Sequence, residues 1–205
     1  MKQKYKYLIG IDEVGRGPIA GPVAVGAFAF LTPDAGKFFR GVRESKQLTE
    51  EKREEWFEKI LALQKSDEKL VTFSVCFQSQ KTIDTKGLSF AIKKCLETAL
   101  GNLGVDPEDC LVLLDGGLKA PIEYKNQKTI IKGDAKEKVI ALASICAKVL
   151  RDRRMKVWGK KYPKYCFEVH KGYGTKAHYE AIKEHGLTAL HRRSFCKGVN
   201  KKASS

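Results

Sequence analysis

Three apolar stretches, far apart in the chain, each run into a carboxylate. YLIGI leads into Asp12 and Glu13, LVLL into Asp115, and TIIKG into Asp134. Each stretch reads as a buried strand, and a charge at its end is costly unless something cationic balances it. Neighbouring strands would deliver these acids to one edge of a sheet, which is where open α/β sheets place their sites. Gathered carboxylates repel and raise one another's pKa, and a divalent cation relieves the repulsion. An all-oxygen ligand set selects Mg²⁺ or Mn²⁺ over zinc. Two such ions ~3.5–4 Å apart can activate water and stabilise a leaving oxygen in phosphodiester cleavage. Singly, Asp134 reads as a helix cap and Asp115 as a turn residue before Gly116-Gly117; four acids beside a glycine-rich loop are not explained that way. Adjacent strand residues point to opposite faces. Asp12 and Glu13 therefore share a site only if the strand breaks at Glu13, or if one of them contributes its carbonyl.

The remaining pattern predicts strands over 5–11, 23–30, 70–77, 111–114 and 128–131. It predicts helices over 49–64, 88–100, 135–158 and 175–185, with Thr49 and Thr175 as N-caps. Strands intermixed with helices predict an α/β fold around a largely buried sheet. No internal repeat or linker divides the chain. The expectation is a single domain over 1–205, with about 160–205 as a basic helical extension.

Charge narrows the partners. The chain carries a formal +15, and residues 148–205 hold 16 Lys/Arg against 4 Asp/Glu. A domain this basic usually faces a polyanion, most often nucleic acid. Tyr162, Tyr165, Phe167, Tyr173, Tyr179 and Phe195 lie among these bases, suited to stacking on bases or sugars. Six cysteines are spread without a CxxC pair, so a zinc site is disfavoured. No stretch reads as a signal peptide or membrane span. Free thiols, a cytoplasmic location and a monomer are expected.

The Gly15-x-Gly17-xxx-Gly21 loop loosely mimics a dinucleotide-binding turn. Pro18 and Pro22 remove backbone donors, and a strand follows the loop where that motif needs a helix. A basic protein with a metal-ready acidic cluster reads instead as a nuclease or phosphoryl-transfer enzyme.

IDEVGRGPIAGPVAV (11–25), SKQLTEEKREE (45–55), LLDGG (113–117), KGDAKEKVIALASICAKVLRD (132–152) and HKGYGTKAHYEAIKEHGLTALHRRSF (170–195) together resemble the ribonuclease HII family of type 2 ribonucleases H. The resemblance covers nearly the whole chain. It implies a ribonuclease H-like fold, a central mixed sheet flanked by helices. It also implies hydrolysis of the RNA strand of RNA–DNA hybrids, and incision 5′ to single ribonucleotides in duplex DNA, with Mg²⁺ or Mn²⁺. The family's catalytic, metal-holding acids fall on Asp12, Glu13, Asp115 and Asp134. Its Gly-Arg-Gly element, which reads the ribose 2′-OH, falls on Gly15, Arg16 and Gly17, and its recognition tyrosine on Tyr173. The Gly-Arg-Gly element separates the chain from ribonuclease HIII, and KKASS at the C-terminus shows no clear clamp-docking peptide. A binding protein without catalysis would not depend on metal, and a DNA-junction nuclease of the same broad fold would ignore the 2′-OH.

Other residues read more than one way. Lys46 could contact a phosphate or stand free. Ser144 and Lys148, four apart on a helix, could face a DNA backbone or plain solvent. Arg151, Arg153, Arg154, Arg192 and Arg193 read as a group of non-specific phosphate contacts. His170, His178, His185 and His191 lack metal-ligand spacing and read as structural or rim residues.

Overall fold

The computed structural model describes residues 5–42 and 47–198. Five strands form one mixed sheet: β1 (Tyr7–Val14), β2 (Val23–Phe30), β3 (Val71–Gln78), β4 (Cys110–Asp115) and β5 (Gln127–Ile130). The order is β3-β2-β1-β4-β5, with β1–β2 and β2–β3 antiparallel and β1–β4 and β4–β5 parallel. The helices are α1 (Glu50–Lys65), α2 (Gln80–Lys86), α3 (Leu88–Gly101), α4 (Gly133–Lys136), α5 (Lys138–Lys161), α6 (Phe167–His170) and α7 (Lys176–His185). The expected α/β architecture is present.

Alternation along β1 and β2 separates two cores. Ile9, Ile11, Val23, Val25, Ala27 and Ala29 face α3, packing on Ala91, Cys95, Leu96 and Ala99. Phe28 and Phe30 face the other way, toward Phe39, Phe57 and α5. Two glycines let α5 lie unusually close to the sheet. A Cβ on Gly10 would stand 2.3 Å from the Val139 carbonyl, and one on Gly26 2.4 Å from the Ala143 oxygen. A third, smaller core joins the C-terminal part to the glycine loop: Ile19 and Ala20 pack with Met155, Tyr165, Phe167, Ile182 and Leu190.

Three features differ from the sequence expectation. β1 continues through the acids to Val14, because antiparallel pairing with β2 (Glu13 to Val25, Val14 to Ala24) carries it on. The helix expected over 135–158 is two: Glu137 takes an extended conformation and separates α4 from α5. The extra helix α2 starts at Ser79, whose hydroxyl accepts from the Thr82 amide, and ends at Gly87 with φ +86°. Most of the C-terminal aromatics are also not free to stack on nucleic acid. Tyr165 and Phe167 are buried in the third core, with Tyr162 and Tyr179 packed against it. Tyr173 and Phe195 remain exposed.

Candidate active site

The parallel pairing of β1 with β4 ends at Ile11 opposite Leu114. The next residue on each strand is an acid, so Asp12 and Asp115 follow side by side on neighbouring strands, which run ~4.8 Å apart. Asp134 comes from elsewhere in the sequence. The amide of Gly133 donates to Asp115 Oδ1 at 2.6 Å, docking the start of α4 on the end of β4. Asp134 is buried there. Its charge, with those of Glu13 and Asp115, is felt at Asp12.

A cavity of about 250 Å³ opens off this end of the sheet. Asp12, Glu13 and Asp115 line it together with Ser144 and Lys148 of α5, the Gly15–Gly17 loop and Tyr173. Asp12 and Glu13 both line it although β1 continues unbroken to Val14. Asp134 lies behind the cavity wall and is not among its lining residues.

Each lining acid is partly held by the protein. Asp12 accepts from the Glu13 amide at 2.8 Å and from the Ser144 hydroxyl. Glu13 Oε1 accepts from Arg16 Nη1 at 2.9 Å. Its Oε2 is buried with no hydrogen-bond partner. Burial, then the neighbouring carboxylates, pushes Asp12 up to about 8 against the opposing Ser144 bond. Burial also raises Glu13, opposed by Arg16. Among the described residues no three acids form a ready metal cage. The donor chemistry nevertheless fits a hard divalent cation. An orphaned carboxylate oxygen and a buried, destabilised Asp12 face one cavity, and such ions take oxygen ligands.

The structure places the other candidates as follows. A Cβ on Gly17 would stand 3.7 Å from Tyr173 Cε1, so the tyrosine ring lies directly beside the glycine loop at the cavity. Lys46 lies outside the described residues. Ser144 is buried and serves Asp12, so it is not offered to a DNA backbone. Lys148 lines the cavity while paired with Asp152 at 2.7 Å. The arginine group divides. Arg153 pairs with Glu54 and Glu58, and Arg154 lies over the Phe77 ring. Arg151 and Arg192 are wholly buried and cannot be surface phosphate contacts. His170 stacks on the buried His178, which is in turn tilted against the buried His191, a packed set in keeping with the structural reading. The sequence did carry a signal for Ser144: no charge occurs from Val139 to Ala147, which marks a helix segment buried all round. A second cavity, of about 740 Å³, lies between α3 and the 117–123 loop and shares Arg16 with the first.

Comparison with known proteins agrees with this geometry. A family model described as Ribonuclease HII matches residues 9–198. A ribonuclease HII of Clostridium perfringens strain 13 is 44% identical over 195 residues, 95% of this chain and 68% of that protein. One from Caldicellulosiruptor bescii is 42% identical over 199 residues, 97% of this chain and 91% of the relative. Among solved structures, the ribonuclease H2 of Pyrococcus horikoshii OT3 superimposes with a TM-score of 0.74 at 24% identity, covering 94% and 96% of the two chains. Bst-RNase HIII, solved in complex with Mn²⁺, gives 0.71 at 20% identity, covering 94% and 66%. These last two speak for the fold alone. With nearly its whole length matched at this identity, the chain belongs to the ribonuclease HII family and is a hydrolase of the ribonuclease H type.

Proposed function

We propose that the chain hydrolyses the RNA strand of RNA–DNA hybrids and incises duplex DNA 5′ to single embedded ribonucleotides, leaving 3′-OH and 5′-phosphate ends. The observation that carries this is the placement of Asp12 and Asp115 one residue beyond the last β1–β4 pair, at one cavity with the unpartnered Glu13 Oε2. Asp12, Glu13, Asp115 and Asp134 would hold two Mg²⁺ or Mn²⁺ ions. When bound, such ions supply acidity to a water nucleophile and positive charge to the departing oxygen.

The chain's own residues bind and orient the substrate. Gly15 and Gly17 line the cavity without side chains, so that their backbone can approach a sugar closely. The 2′-OH is the group that distinguishes ribose from deoxyribose. Tyr173, partly exposed beside the loop, offers a ring for the sugar and a hydroxyl for a hydrogen bond. Lys148 adds a cation beside the acids. The basic surface of the C-terminal part supplies non-specific attraction to the duplex.

The test is cleavage of a labelled duplex carrying one ribonucleotide, with Mg²⁺, Mn²⁺ or chelator, beside an all-DNA control. Metal-dependent cutting 5′ to the ribonucleotide, with the control intact, is expected. Equal cutting of the control would show that the 2′-OH is not read, and cutting in chelator would remove the metal reading.

A further inference from the structure

The two elements placed on the substrate, the glycine loop and Tyr173, are both gripped by one dipeptide near the C-terminal end. Arg192 is fully buried, and its guanidinium is spent on main-chain carbonyls. Nε donates to Gly21 O at 2.9 Å, Nη1 to Arg16 O at 2.9 Å and Nη2 to Gly15 O at 2.7 Å. Its own amide donates to Ile19 O at 2.8 Å. A buried guanidinium without a paired carboxylate is expensive, and simple packing would be served better by an apolar side chain. Three donors in a rigid planar fork are instead matched to three carbonyls of one loop.

This grip fixes which way the loop's amides point. In a planar trans peptide the N–H lies opposite the preceding carbonyl. Turning the Gly15 and Arg16 carbonyls inward to Arg192 therefore turns the Arg16 and Gly17 amides away from it. Neither amide is bonded to another described backbone carbonyl.

The neighbour of Arg192 reaches the other element. His191 Nδ1 accepts from the Thr188 amide at 2.9 Å. Its proton therefore sits on Nε2 and is donated to His178 Nε2 at 3.1 Å. That leaves the His178 proton on Nδ1, donated to the Tyr173 carbonyl at 2.8 Å. Each ring's tautomer is set by the bond before it. His191 also bridges to Ala20 in the glycine loop. A parallel strut comes from Arg151, which donates to Pro22 O and Lys171 O, both at 3.0 Å.

We propose that His191 and Arg192 are positioning residues that set the separation and orientation of the glycine loop and Tyr173, and through them the selection of a single ribonucleotide. This rests on the proposed reading of those two elements as the ribose-selecting surface, engaged where ribose meets deoxyribose, a junction that a single embedded ribonucleotide presents and the interior of an all-RNA strand does not. Neither residue touches the acids, so the effect falls on selection and not on the hydrolytic step.

The test compares kcat and KM on a single-ribonucleotide duplex and on an all-RNA/DNA hybrid for wild type, Tyr173→Ala, Arg192→Lys and His191→Phe. A lysine cannot reach three carbonyls, and a phenylalanine keeps the ring but ends the relay to Tyr173. The expected result is a fall of tenfold or more in the ratio of the two kcat/KM values for both positioning variants. It should come mainly from KM on the single-ribonucleotide duplex, with kcat on the hybrid within about threefold of wild type. Equal losses on both substrates, or failure of both variants to fold as judged by circular dichroism, would make the pair merely structural and overturn the inference. If Tyr173→Ala leaves the ratio unchanged, the ribose-selecting reading itself is wrong. If Tyr173→Ala lowers the ratio and the other two variants do not, only the positioning role is lost.

Discussion

Asp12→Asn should stabilise the protein while disabling it. Asp12 is buried in the folded chain and its carboxyl is pushed up to about 8, from an ordinary value of 3.8. At pH 7 folding must therefore protonate a group that is ionised when unfolded. That difference corresponds to on the order of 4 kcal/mol. Asparagine is neutral in both states and avoids it. The local bonds survive, because the amide oxygen can accept from the Glu13 N–H and the Ser144 hydroxyl can rotate to accept. For a chain of this size, 1 kcal/mol moves Tm by about 2–4 °C. A rise of at least roughly 5 °C in chelator at pH 7 allows for half the gain being lost elsewhere. The sign with pH follows. A raised carboxyl costs nothing below pH 3.8, and the cost grows until pH 8. The Tm difference between variant and wild type should thus be near zero at pH 3.5 and largest at pH 8. Adding Mn²⁺ should raise the wild-type Tm by mass action and move the variant far less, and ribonuclease activity should fall at least 10³-fold. Thermal unfolding followed by circular dichroism reads every arm. An Asn variant that melts at or below wild type in chelator at pH 8 would refute the burial argument, and an equal Mn²⁺ shift would refute the metal assignment.

Other perturbations test other parts of the structure. Asp134→Asn should keep hybrid binding within about threefold and lose turnover; wild-type cleavage by this variant, measured on a labelled hybrid, would remove Asp134 from the metal set. Gly10→Ala drives a Cβ into the Val139 backbone at 2.3 Å, so a loss of about 3 kcal/mol or more should appear in urea unfolding, together with lost activity as Ser144 is displaced from Asp12. His178 and His191 are held down to about 4 by burial. Their neutral forms stabilise the fold fully above pH 6.5, and that stability is lost as pH falls toward 4, by roughly 2 kcal/mol per histidine at pH 5. This is best read in the Asp12→Asn background, where the opposing titration is gone, and a flat urea-unfolding stability from pH 7 to 5 there would contradict it.

Most of the sheet, and the arrival of Asp12, Glu13 and Asp115 at one cavity, were legible because they rest on local patterns: apolar runs of strand length, each ending in a charge. What escaped was set by partners far away in sequence. The strand read over 5–11 runs on through Asp12 and Glu13 to Val14 because β2 pairs with it there. The break at Glu137 has no proline or glycine to announce it. Arg192 looked like a surface phosphate contact because its three carbonyl partners lie more than 170 residues upstream. Tyr165 and Phe167 looked like stacking rings for the same reason: the basic composition around them concealed a small core that needs Ile19 and Ala20 to close.

The pairing of Ala20 with His191 has a consequence for biosynthesis. Asp12 is synthesised 180 residues before Arg192. The β1–β2 hairpin can form early, but the loop between its strands cannot take its working shape until residues 191 and 192 have emerged. A chain ending before residue 191 would therefore carry Asp12, Glu13, Asp115 and Asp134 without the residues that hold the glycine loop and Tyr173 in place, and so without the proposed means of discrimination.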